Sequence, residues 1–121
     1  MKERRRAPRI EANLKLELRM PNQETASLGE TLNISRNGIY FRTEYYMSEG
    51  TKLPISIHLP AEQGVEAVSV RPEGIVVRCI PEIEDPRVDN YEVACFFMEI
   101  TKEDQAQLDA FLERRFQSSQ N

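Results

Sequence analysis

The chain has 121 residues, the length of one ordinary domain. Apolar residues make up 40% and charged residues 30%, a balance that excludes wholesale disorder. The net charge of -4 excludes a protein built for nonspecific nucleic-acid binding, and no apolar run reaches the roughly 18 to 20 residues that span a bilayer. Charge is unevenly distributed: Lys2, Arg4, Arg5, Arg6 and Arg9 against Glu3 give a local +4, which leaves -8 for the remainder. A basic arm on an acidic body points to a local anion site. No apolar stretch comes after these arginines, so the N-terminus does not read as a secretory signal, and a cytoplasmic location is expected.

Residues 1–11 read as an extended or irregular arm, because Pro8 disfavours helix at Ala7 and lacks a backbone donor. Leu14, Leu16 and Leu18 then alternate with Lys15, Glu17 and Arg19, the period of a strand with one wet face. Pro21-Asn22 breaks this run, and residues 26–34 form a second expected strand. Asn33 to Gly38 reads as a turn, with a short strand after it over Ile39 to Thr43. After a turn at Ser48-Glu49-Gly50, the residues Leu53, Ile55, Ile57 and Leu59 alternate again. Residues 65–71 and 74–80 give one or two strands bent at Pro72 to Gly74. An acidic loop spans Pro81 to Asn90, and Tyr91 to Met98 is a closing apolar strand. Thr101 to Asp104 resembles a helix N-cap, and Leu108, Phe111, Leu112 and Phe116 recur at helical spacing. About six short strands with Gly, Pro and Asn turns suggest a closed or nearly closed barrel, and the helix must bury its stripe on that barrel. The expected organisation is an arm over 1–11, a barrel domain over 12–117 with its helix at 101–117, and a tail at 118–121.

Two constellations carry chemistry. The first is Arg4-Arg5-Arg6-Ala7-Pro8-Arg9. Guanidinium forks clamp phosphate oxygens, stack on purines and donate to the guanine O6/N7 edge. Taken alone, such a run also fits a solvated tail or a generic polyanion arm. The second is Asn33-Ile34-Ser35-Arg36-Asn37-Gly38. Its Asn and Ser side chains can bond the backbone of a turn or offer short polar contacts to a base edge. Gly38 permits either a positive φ or a close backbone approach.

Together, Arg-Arg-x-x-x-Arg (Arg4, Arg5, Arg9) and Asn-x-Ser-x-x-Gly (Asn33, Ser35, Gly38) resemble the two-part signature of the PilZ family. The resemblance continues through Gly38 to Thr43, through Ser48 to Thr51 with the strand ending at Leu59-Pro60, and through Glu73 to Arg78. It implies a mainly β fold, a six-stranded antiparallel PilZ-type β-barrel with one C-terminal α-helix. It also implies a non-enzymatic receptor for the bacterial second messenger cyclic di-GMP. By that likeness Arg5 and Arg9 clamp the ligand, Asn33 and Ser35 read guanine from beneath, and Gly38 keeps the adjacent turn open. An arginine at the position of Arg4 goes in some members with an intercalated ligand dimer, so the ligand is expected as one molecule or an intercalated dimer. Neither a cofactor nor a metal is implied. The expected partners are cyclic di-GMP and an unidentified protein effector, with no nucleic acid and no stable membrane insertion. The protein is expected to be a monomer or weak homodimer that acts as an adaptor. Arg6 and Arg36, further charges near the signature, read as solvated. The closing strand, Tyr91 to Met98, has no glycine where many members carry one, Ala94 being its smallest residue, a departure that bears on strand packing and not on the ligand motifs.

Other signals are weaker. Cys79 and Cys95 lack metal-ligand spacing and read as buried reduced thiols. His58, the only histidine, is out of phase with its apolar neighbours and has no triad drawn by spacing. Tyr45, Tyr46 and Met47 cannot all alternate inward, so one or two are expected at the surface. The alternative function is a PilZ-like interaction module of pilus or motility machinery that does not bind the nucleotide. A barrel binding single-stranded nucleic acid would need a basic, aromatic-rich groove, which the acidic body contradicts.

Overall fold

Leu14, Leu16 and Leu18 are buried in the structure, while Lys15 and Arg19 between and beyond them are exposed. The computed structural model describes residues 9–19 and 27–119. These form eight strands and one helix: Ile10–Glu11 (β1), Lys15–Leu18 (β2), Ser27–Ile34 (β3), Gly38–Thr43 (β4), Lys52–Leu59 (β5), Val68–Val70 (β6), Glu73–Ile80 (β7), Tyr91–Glu99 (β8) and Lys102–Ser119 (α1). All pairings are antiparallel.

Two of the barrel's walls are interrupted strands. β1 and β2 both pair with β3, at Ile34–Asn33 and Glu30–Ser27 respectively. β6 and β7 both pair with β5, at opposite ends of it, and Arg71-Pro72 separates them. This break is the bend expected around Pro72, since proline has no N–H for the ladder. Counting each interrupted pair once, the path β1/β2–β5–β6/β7–β8–β4–β3 returns to β1/β2, closing a six-stranded barrel. The pairing also assigns Ile10 and Glu11, read from sequence as the end of the arm, to the barrel wall.

The barrel interior holds Leu16, Ile34, Phe41, Ile57, Val76 and Val93, all essentially inaccessible to water. α1 meets β6 and β1, and buries Leu108 and Phe111 there. Its start is capped as the sequence suggests: the Asp104 N–H donates to Thr101 Oγ1 at 3.1 Å. The Asp104 carboxylate accepts the Arg71 backbone N–H at 2.9 Å, fixing the helix start to the β6–β7 break. Farther along, Arg114 and Arg115 both reach Glu62, at 3.5 and 3.0 Å. The helix runs to Ser119, into the segment expected as tail. Among the described residues no helix is long and apolar enough to cross a membrane.

Cys79 and Cys95 are free and buried. Burial pushes the Cys95 thiol from 9.0 up to about 12, with Cys79 adding to the rise. Burial also raises Cys79, against a backbone hydrogen bond from Met47. Above pH 9 the unfolded Cys95 thiol ionises, while the folded one keeps its proton until about 12. The Cys95 contribution to stability is therefore complete below pH 9 and declines above it. Urea midpoints measured between neutral and strongly alkaline pH should fall less steeply for Cys95→Ala than for the wild type.

Candidate functional site

The second sequence signature sits on a wall whose facing is set by a β-bulge. Thr31 pairs with Phe41 and Asn33 with Tyr40, so Leu32 is an extra residue in β3. Strict alternation from the inward Thr31 would send Asn33 into the core and Ile34 to solvent. The inserted residue reverses the phase. Ile34 is fully buried, and Asn33 lies half-buried on the outer surface.

Register then defines two outward rows across the barrel. One runs Glu11, Asn33, Tyr40, Ala94, Arg78 through β1, β3, β4, β8 and β7. The other contains Gly38, Phe96, Ile75 and Lys52. Continuing the β1–β3 register by one residue sets Arg9 opposite Ser35, at the head of this second row. Arg9 is exposed. The two signatures thus meet on neighbouring strands at Arg9, Asn33, Ser35 and Gly38. Arg4, Arg5 and Arg6 lie outside the described residues.

The turn between β3 and β4 is held by its own polar groups. The Ser35 N–H donates to the Gly38 carbonyl at 2.9 Å, and Ser35 Oγ accepts the Asn37 N–H at 3.2 Å. Ser35 is buried, yet its hydroxyl retains a hydrogen to donate. The Asn37 carbonyl accepts the Phe97 N–H at 2.8 Å, pinning the turn to β8. Of the two reasons for glycine at position 38, the structure selects close approach. The φ of Gly38 is not positive, but a Cβ there would stand 2.4 Å from the Cys95 carbonyl oxygen.

Arg36 is not simply solvated. Its fork engages Asp109 of α1, with Nε–Oδ1 and Nη2–Oδ2 both 3.1 Å. This hydrogen bonding holds the Asp109 carboxyl below the usual carboxylate range, with Gln105 contributing a further donor. The signature turn is thereby tied to the helix across 73 residues of sequence.

Two site features were missed by sequence reasoning. Phe96 is 52% exposed in the row beside Gly38, an aromatic face open to stacking. The signal was present: with Tyr91, Val93 and Cys95 turned inward, Phe96 must face out. Tyr40 also faces out and donates its hydroxyl hydrogen to Glu92. That bond, then burial, raises the Tyr40 hydroxyl above its ordinary value, while Arg78 and Arg42 pull it down. Glu92 is in turn paired with Arg42 at 3.5 Å. Ala94 forms part of this outer floor between Tyr40 and Arg78.

The opposite wall differs. His58 Nδ1 lies 2.7 Å from Ser69 Oγ and Nε2 lies 3.2 Å from Glu17, a cluster across β2, β5 and β6. Of the three bulky residues at 45–47, Tyr45 is exposed, Tyr46 stacks edge-on against Tyr91, and Met47 is buried.

Solved structures with this architecture are known. Bacillus subtilis MotI/DgrA, an inhibitor of motility, is 26% identical with a TM-score of 0.73, covering 96% of this chain and 53% of that one. The PilZ domain of YcgR from Escherichia coli, solved with c-di-GMP, is 14% identical with a TM-score of 0.68, covering 97% and 95%. The MrkH–c-di-GMP complex of K. pneumonia is 15% identical with a TM-score of 0.65, covering 98% and 55%. The chain spans about half the length of the MotI and MrkH chains. Among curated proteins, none matches by sequence. The family described as PilZ domain matches residues 3–114, a span that takes in both signatures and every strand of the barrel. With the barrel, the turn and the signatures in agreement, this chain belongs to the PilZ domain family.

Proposed function

We propose that the protein is a cytoplasmic receptor for cyclic di-GMP that acts on a protein partner and is not itself an enzyme. One juxtaposition carries the reading: β1 pairs with the strand bearing Asn33, so the arginine segment ends beside the Asn33–Gly38 signature. The ligand has two phosphates and two guanines, and the residues gathered here suit both. Arg5 and Arg9 clamp phosphate and guanine edges with planar forks. Asn33 and Ser35 read a guanine from the wall, and Phe96 gives it a stacking face. Gly38 lets the turn lie close on β8. Arg4 supplies the further guanidinium that would admit a second, intercalated ligand molecule. Family membership supports the reading, as do the cyclic di-GMP complexes of YcgR and MrkH.

Of the arm expected over residues 1–11, the part ahead of β1, residues 1–9, is proposed to close over the ligand and form a new surface for the partner, shifting the population toward a docking-competent state. Calorimetric titration of the wild type with cyclic di-GMP should give saturable binding, with a stoichiometry of one or two that decides the role of Arg4. Amide exchange at residues 1–9 should slow when ligand is added. Absence of binding heat would favour the interaction module that lacks the nucleotide, and unchanged exchange with binding intact would remove the closing arm.

A further inference from the structure

β3 is not the only bulged strand of this wall. In β7, Val76 pairs with Cys95 and Arg78 with Ala94, so Val77 is an extra residue. Val76 faces inward, and plain alternation would turn position 78 inward with it. The insertion sends Arg78 to the surface and returns Cys79 to the core. Bulges interrupt the ladder, and they recur where a side chain is re-aimed beside a functional site. Here two bulges flank the β4–β8 pair, and each sends the residue after it outward at one ladder level: Asn33 on one side and Arg78 on the other.

We propose that Arg78 is a ligand-binding residue, gripping the half of the cyclic dinucleotide that lies farthest from Asn33. This rests on the cyclic di-GMP reading above. From β3 to β7 there are three interstrand steps, roughly 14 Å in all. Asn33 and Ser35 occupy one end of that span, and a ligand with two nucleotides extends beyond their reach. Between them and Arg78 the floor is Tyr40 and the methyl group of Ala94, which leaves the surface low. Arg36, Arg42, Arg87, Arg114 and Arg115 each have a carboxylate partner, whereas Arg78 has none among the described residues. Arg78 and Tyr40 flank Ala94 at one level of the ladder, both on the outer surface. Glu92, two residues along β8 from Ala94, is already engaged by Arg42 and Tyr40. A free, outward fork at the far end of the row fits either the second phosphate or the second guanine O6/N7 edge.

The test is calorimetry with cyclic di-GMP at fixed salt on wild type, Arg78→Ala, Arg78→Lys and, as a charge control on the acidic loop, Arg87→Ala. Loss of charge-assisted bonds should weaken Arg78→Ala roughly 10- to 100-fold, with thermal midpoints unchanged and Arg87→Ala matching wild type. Arg78→Lys near wild type assigns the contact to phosphate; Arg78→Lys as weak as alanine assigns it to the guanine edge. Tight wild-type binding with unaltered affinity in Arg78→Ala overturns the proposal and leaves the receptor reading standing. Equal losses in Arg78→Ala and Arg87→Ala overturn it as well, since only long-range charge would then be at work. A wild type that binds nothing removes both.

Discussion

Arg9→Ala should weaken cyclic di-GMP binding about 100-fold while leaving the fold intact. Arg9 is exposed and precedes β1, so its removal takes no side chain from the core. The substitution deletes a fork at the head of the row that contains Gly38 and Phe96. Hydrogen bonds to charged groups contribute about 1.5–3 kcal/mol each, and about 1.4 kcal/mol is one decade of affinity. Loss of a bidentate contact therefore amounts to roughly two decades once partial solvent compensation is allowed for. Arg9→Lys should recover only part of this, because an ammonium lacks the planar fork. Calorimetry at fixed salt measures both variants. Affinities equal to wild type would show that the ligand, if bound, lies elsewhere.

Gly38→Ala should lower stability by roughly 2–3 kcal/mol, the upper range for forcing extra atoms into a packed region. The added Cβ would meet the Cys95 backbone carbonyl oxygen at 2.4 Å, and neither atom is the flexible end of a side chain. Relief requires β4 to move off β8, which strains the Phe97–Asn37 hydrogen bond and the Ser35–Gly38 closure. The same shift displaces Asn33, Ser35 and Phe96 relative to one another, so ligand affinity should fall too. Urea denaturation gives the stability difference. A variant as stable as wild type would mean that the wall is more compliant than its hydrogen bonds indicate.

Much of the fold is legible in residue patterns. Leu14, Leu16 and Leu18 announce their strand by alternation, Pro72 announces the β6–β7 break, and Thr101 announces the helix start. The signature residues themselves stand out by type and spacing. Their facing does not. An inserted residue leaves no mark on a period-two count, so neither Leu32 nor Val77 reveals that it reverses the phase of the residues after it. Asn33 and Arg78 owe their outward aim to those insertions. The Arg36–Asp109 fork joins residues far apart in sequence, and no local pattern encodes such a pair. Gly38 is legible as a required glycine, but the reason, a carbonyl on a strand nearly sixty residues later, lies in the tertiary structure. Phe96 was within reach of sequence reasoning, since the inward residues around it fix its direction.

The receptor reading depends on which wall of the barrel meets the ligand. Titrating isotope-labelled protein with cyclic di-GMP and tracking backbone amide resonances addresses that directly. The largest shifts should fall on Asn33, Ser35, Gly38, Tyr40, Ala94 and Phe96, with the His58–Ser69 wall silent. Shifts concentrated around Glu17, His58 and Ser69, or none at saturating ligand, would contradict it.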